Sequence, residues 1–419
     1  MKKSIFLAAL VLVSAGCFAQ KANVSKARNL ADSETPDYAG ARTAIKEALS
    51  NDETKDQANT WYVAGYVGYK EFDAINVNRQ LGRNVDVEAW GNAVYESINY
   101  WSKAYELACI PTYDKKGKAK YDTRTPKMIS PKLIEYYDSR ALLYWGDNLY
   151  FDKQDPSMAY DAYMAHLNIP ELQIFKDKPE DAAKLLMDTT YYMCLYYAGR
   201  FACDAKRYDE AIATLSRLNT EHAKANARHQ DRVGANEFIF NAYMDQQDTV
   251  SAIAAVKNSI AEFPEVENFI LVLVDLYLNS HQELKALEYV DLVINRSPEV
   301  SRYYLIKGDI ISIVQGQYEQ AFEFYEKAIS LEPEVALNHY QYGVACHDYA
   351  IKIFDAIPVD ADKKTFDAEE KRCKEFLQKA LPYLKKAYEL EADNYNYKRT
   401  LRSLYYRLGM YAEYEALED

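Results

Sequence analysis

The strongest constraint on this chain is a recurrence. Ala252, Ala286 and Ala321 stand 34 and 35 residues apart, and Pro264, Pro298 and Pro333 keep the same two intervals. Each alanine opens a helical pattern. In QYEQAFEFYEKAISLEPE, residues 317–334, Ala321 and Ala328 flank Tyr325 on one stripe and Pro333 closes the run. Residues three and four apart share a helix face, so two small side chains around one ring make a shallow surface with a single knob. A partner helix can approach closely there. Proline stops the helix because it has no N–H to donate and drives its predecessor out of the helical region. Upstream of each alanine lies another amphipathic segment, carrying Tyr243, Tyr277 and Gly308 in the three copies. Neither helix of such a pair buries its stripe alone, whereas stacked pairs share one core.

These residues resemble the tetratricopeptide repeat, whose pattern is W-x2-L-G-x2-Y, then A-x3-F, then P, with a period of about 34. Three copies over 233–333 carry it. In the clearest, Tyr304 stands for Trp and Gly308 for Gly, and Ala321, Tyr325, Ala328 and Pro333 complete the second helix. One extra residue separates Gly308 from Ala321 and is expected in the turn near Gln315-Gly316. Weaker copies follow Trp61, Ala64, Gly65 with Ser97, Trp101, Ala104; Leu142, Gly146, Leu149 with Ala159, Tyr163; and Leu195, Gly199 with Tyr208, Ala211. A late pair joins Gly343 to Ala380, Leu384 and Ala387. Leu401, Tyr405, Gly409 and Tyr411 read as a terminal first helix, and Ala41, Ile45 and Ala48 as an isolated second helix. The expectation is an all-α chain with very little sheet: a right-handed α-solenoid of stacked antiparallel helix pairs in about eight units, several irregular. Its segments are 1–19, a signal peptide; 20–232, irregular repeats with inserted loops; 233–333, regular repeats; and 334–419, repeats with an insertion and a terminal helix.

The first 19 residues, MKKSIFLAALVLVSAGCFA, have the layout of a secretory signal: two lysines, an apolar stretch, then small residues. The apolar run is too short for a lasting span. Cleavage after Ala19 gives a periplasmic or exported protein. Acylation at Cys17, after Ala15-Gly16, would instead give a lipoprotein, but Ser14 stands where such signals usually carry Leu. Net charge is −13, or −15 once Lys2 and Lys3 leave, which disfavours nucleic acid and anionic lipid as partners. One basic stretch, 112–127, with Lys115, Lys116, Lys118, Lys120, Arg124 and Lys127, reads as a solvated turn between helices.

No catalytic signature is present: no G-x-S-x-G, Walker loop, H-E-x-x-H or C-x-x-C. Residues 360–371 open like a calcium loop at Asp360 and Asp362 but fail at Lys364, Thr365 and Lys371, and read as a helix start. His222 and His229 have no third ligand at metal spacing. The reading is therefore no enzyme, no cofactor and no metal. Cys194 and Cys203 lie on opposite faces of one helix and cannot bond. Cys346 and Cys373 flank the late insertion, where a bridge is conceivable and two free thiols are favoured.

Tyrosine is in excess, 38 against 15 Phe. The resemblance implies a ligand groove lined by first helices, one residue past each signature position. That offset selects Tyr62, Tyr66 and Tyr69, then Tyr144, Asp147 and Tyr150, then Tyr196 and Arg200. Farther on it selects Asn241, Asp275, Leu305 with Asp309, and Tyr340, Val344 and His347. The function it implies is a scaffold or adaptor holding a protein or peptide. The alternative is a glycan-binding protein similar in kind to the outer-membrane starch-binding lipoproteins.

Overall fold

The computed structural model describes residues 21–185 and 187–417. The signal-peptide reading and Cys17 lie outside them. The described residues are almost wholly helical; their only strands, Thr112–Tyr113 and Ala119–Lys120, form a two-stranded ribbon. Its turn is the basic stretch: Gly117 takes φ +75°, and the Asp114 carboxylate accepts from the N–H groups of Lys116 and Lys118.

The chain divides into two compact units at Asp248/Thr249. The boundary falls inside the run read as regular repeats, at the turn between the helices His229–Asp245 and Thr249–Glu262. Within each unit, successive helices pair antiparallel in a tetratricopeptide-like stack. In the first unit the helices Ala58–Gln80 and Val87–Ala108 run oppositely: the Trp101 indole N–H donates to the Tyr62 carbonyl at 3.1 Å, and the Ser97 hydroxyl donates to the Gly65 carbonyl at 2.9 Å. In the second, Tyr342 meets Tyr383 across the hairpin of Ala336–Asp355 and Lys363–Leu390, while Tyr349 meets Phe376.

One lock recurs. The residue four past the opening small residue of a second helix fills the space over the first helix's glycine. A Cβ on Gly146 would stand 2.5 Å from the Tyr163 ring, one on Gly308 2.9 Å from the Tyr325 ring, and one on Gly343 2.6 Å from Leu384 Cγ. Gly65 meets Trp101 and Gly199 meets Leu215 in the same way. The opening residues, Ser97, Ala159, Ala211, Ala321 and Ala380, are all fully buried. This is the close approach that the A-x3-F spacing requires.

A second regularity was not visible in the sequence. Gln154, Lys206, Gln247, His281 and Gly316 all take left-handed φ, between +54° and +67° except His281 at +53°. Each stands five residues before the small residue of the following helix, so the inter-helix turn has constant length. The extra residue between Gly308 and Ala321 is therefore not in the turn. It is absorbed one step earlier, in the wide π-helical turn Ile310–Val314, and the same device occupies Asn148–Asp152.

Three further expectations are corrected. The insertion after Gly65 is not a loop: it lengthens the helices of its hairpin to 23 and 22 residues, and the insertion after Gly343 likewise gives helices of 20 and 28. Asp362 caps the last of these by accepting the Thr365 N–H at 2.9 Å, so residues 360–371 are indeed a helix start. Gly409, at φ +73°, is the turn after the helix Tyr395–Arg407, and Tyr411 opens a short second helix, so neither belongs to the first. The helix Tyr38–Ser50 is not isolated, because a helix over 21–31 precedes it.

Candidate functional site

The sequence places an aromatic wall on Ala58–Gln80, and the structure covers it. Tyr62, Tyr66 and Tyr69 form a ladder with ring centroids 6.0 and 6.3 Å apart. Tyr62 is 3% exposed and stacks on Trp101. Tyr66 donates its hydroxyl to Asp32 at 2.7 Å, with the Arg28 guanidinium 5.2 Å from its ring centroid. Tyr69 donates to Glu135 at 3.1 Å, and the Lys132 ammonium stands 3.4 Å from its ring centroid. Chain on either side, at 28–32 and on the helix Arg124–Ser139, thus occupies these rings. Burial, helped by Asp32, pushes the Tyr66 phenol up to about 12. Tyr62 belongs to the unit's interior, and Tyr66 and Tyr69 are half-buried with rings and hydroxyls engaged by neighbouring chain.

Farther along the first unit the first-helix face is accessible. Tyr144 is 47% exposed, and Arg79 lies between its ring and that of Trp90, 4.7 and 4.8 Å from their centroids. Tyr150 stacks on Phe201 at 4.2 Å and donates its hydroxyl to Asp204 at 2.5 Å. Arg200 Nε lies 4.0 Å from the same carboxylate, and both charged side chains remain more than 40% exposed. Tyr196 faces Phe238 at 6.0 Å, and its hydroxyl approaches Gly234, where a side chain would crowd it. Asn241, one turn beyond Phe238, is exposed. On the segments 141–152, 189–204 and 229–245, Tyr144, Arg200 and Asn241 are exposed, and Tyr150 and Tyr196 are half-buried. Sequence reading missed Phe151, 70% exposed, and Asp204 and Phe238. Asp204 was findable, four residues past Arg200 on one helix.

The remaining expected residues do not gather. Asp147 turns inward and accepts the Tyr163 hydroxyl at 2.6 Å; burial raises its carboxyl above the usual range. In the second unit Asp309 does the same with Tyr325 at 2.7 Å and is raised to about 6, again by burial. Leu305 is buried, and Asp275 is exposed. Tyr340 packs on Tyr397 at 4.5 Å and shares a hydrogen bond with Thr400 at 3.2 Å. Val344 is half-buried, and His347 has Nδ1 3.1 Å from Asp348.

Among the described residues there is no group of three or more His, Cys, Asp or Glu able to hold a metal ion. His222 and His229 are both exposed, and His222 Nδ1 bonds the Tyr192 hydroxyl at 2.5 Å. Cys109, Cys194, Cys203, Cys346 and Cys373 are all free thiols. No helix among the described residues is long and apolar enough to cross a membrane.

No protein-family model matches the chain, and no curated protein matches it in sequence. Among solved structures it is similar to YrrB, described as a TPR protein with an unusual peptide-binding site, at 15% identity, covering 54% of this chain and 94% of that one, with a TM-score of 0.34. A TPR-repeat protein from Bacteroides fragilis gives 16% identity over 66% of this chain and 97% of that one, TM-score 0.31. Human IFIT1 gives 12% over 89% and 75%, TM-score 0.33. The paired-helix architecture stands on the contacts described above, and these likenesses carry no argument about function.

Proposed function

We propose that this chain is an exported, non-enzymatic scaffold that binds a protein or peptide on the first-helix face of its first unit. The observation that supports it is the strip Tyr144, Tyr150, Tyr196, Arg200 and Asn241, joined by Phe151, Asp204 and Phe238. Exposed rings supply apolar contact area, and the Arg200 and Asp204 charges supply orientation to a polar backbone laid across them. Tyr150 is held flat on Phe201 and tethered at its hydroxyl, so little side-chain freedom remains to lose on binding. Stacking alone would suit a sugar as well, but the exposed Arg200–Asp204 pair favours a peptide.

The test is affinity capture on the purified chain, followed by direct binding with the recovered partner. Arg200→Glu and Phe238→Ala should each weaken binding at least about tenfold. Asp275→Ala, on the second unit, should leave it intact. Equal affinity for all three variants would remove the assignment, and competition by soluble glycans would transfer the strip to carbohydrate.

A further inference from the structure

A separate cavity of about 150 Å³ lies in the first unit, lined by Tyr137, Asp138, Arg140, His166, Asp188 and Thr190, with Leu143 and Cys194 behind them. Three observations set it apart from ordinary packing defects. His166 is 5% exposed and stacks flat on Tyr137, centroids 4.6 Å apart and planes 4° from parallel. Its Nδ1 is buried with no hydrogen-bond partner. An unmet buried polar atom of this kind costs about 1–3 kcal/mol, so its retention asks for a reason.

Arg140 is the second observation. It takes φ +57° between the helices Arg124–Ser139 and Ala141–Asp147. Every other left-handed non-glycine among the described residues serves the constant inter-helix turn; Arg140 does not. Holding an arginine in that conformation costs about 1 kcal/mol, and such strain gathers at binding sites. No carboxylate among the described residues lies within ion-pair distance of its guanidinium.

The charges are the third. Arg140 and Lys184 face Asp138 and Asp188, so the lining is balanced. Lys184 is already held by Asp181 at 2.8 Å, and Asp188 Oδ1 is spent on the N–H groups of Thr190 and Tyr191. Its second oxygen, the Asp138 carboxylate and the Arg140 guanidinium are the groups left to act. A balanced, partly buried site disfavours a ligand of net charge and suits a dipolar one. A cavity of this volume with apolar walls takes benzene, which sets the size at about six non-hydrogen atoms.

We propose that this cavity binds a small zwitterion, an α-amino acid of glycine or alanine size, its carboxylate on Arg140 and its ammonium on Asp188, with His166 supplying a neutral hydrogen-bonding wall. This site is distinct from the strip proposed for a peptide, and its test uses the purified chain alone.

Isothermal titration with glycine and L-alanine should show saturable one-to-one binding. Acetate and methylammonium, each carrying half the dipole, should bind at least about tenfold more weakly. L-Leucine should not bind. Arg140→Gly removes the guanidinium while easing the backbone, so it should fold as well as the parent and lose at least about tenfold in affinity. Cys194→Met, which fills the cavity from behind, should abolish binding with the circular-dichroism spectrum unchanged. Absence of any binding to the folded parent, or equal affinity in Arg140→Gly, would overturn the proposal.

Discussion

Tyr325 donates its hydroxyl to the Asp309 carboxylate across 2.7 Å, from the second helix of a hairpin back to the residue after the first helix's glycine. Tyr163 and Asp147 repeat the arrangement at 2.6 Å in the other unit. Both pairs sit directly before a π-helical turn. In each, burial disfavours the carboxylate's charge while the phenol partly restores it.

The first prediction follows from Asp309. Its folded pKa, about 6, lies above the roughly 3.9 of an unfolded aspartate. Between those values the folded state binds more protons than the unfolded one, so this group's contribution to stability is present at low pH and is lost as pH rises from about 4 through 6. Asp309→Asn keeps an acceptor for Tyr325 without the charge. The variant should gain on the parent by up to about 2–3 kcal/mol between pH 4 and 7.5. Parallel melting curves at both pH values would refute this if the difference between the two proteins stayed constant.

The glycine locks predict a sign reversal. Alanine ordinarily favours a helix by about 0.5–1 kcal/mol over glycine. At Gly146 and Gly308 the added methyl meets the Tyr163 and Tyr325 rings, and overpacking of this kind costs about 1–3 kcal/mol. Gly308→Ala should therefore destabilise in urea titration, and Gly308→Ala combined with Tyr325→Leu should recover part of the loss.

The π-helical turn holds one removable residue. Deleting Ile313, which is 66% exposed, should restore the 34-residue interval and leave a cooperative melt. Deleting Leu278, in the hairpin with no spare residue, should collapse cooperativity because the left-handed residue at 281 would lose its place. Similar melts for the two deletions would mean that the turn does not fix the count.

Thiol reactivity should divide by burial. Cys346 and Cys194 are each pushed up to about 12 by burial, so little thiolate forms near neutrality. Cys109 is exposed. A disulfide reagent at pH 8 should modify Cys109 within minutes and reach Cys346 and Cys194 only on unfolding, as followed by peptide mapping.

The paired helices were legible because the signals are local and periodic: Ala321, Tyr325 and Pro333 each act within one helix or its end. The turn geometry was not, since glutamine, lysine and histidine at 154, 206, 247 and 281 give no sign of left-handed backbone. The Tyr62 ladder was misplaced for another reason. The offset rule reads one helix at a time, whereas Asp32 and Glu135, which take up the hydroxyls of Tyr66 and Tyr69, come from 34 and 66 residues away. Asp147 and Asp309 were misread for the same reason, since the Tyr163 and Tyr325 hydroxyls that engage them come from the paired helix, 16 residues on. The proposed strip, Tyr144 to Asn241, draws on residues of three successive first-helix segments.

The constant spacing between the left-handed residue and the small residue after it has a bearing on how such a chain tolerates change in length. A residue gained in that linker would rotate the whole second helix by about 100° and turn its stripe away from the core. A residue gained upstream is taken up as one slack loop of backbone, and everything downstream keeps its aim. Single-residue insertions are thus taken up in first helices, as at Ile310–Val314, whereas the longer ones extend both helices of a hairpin.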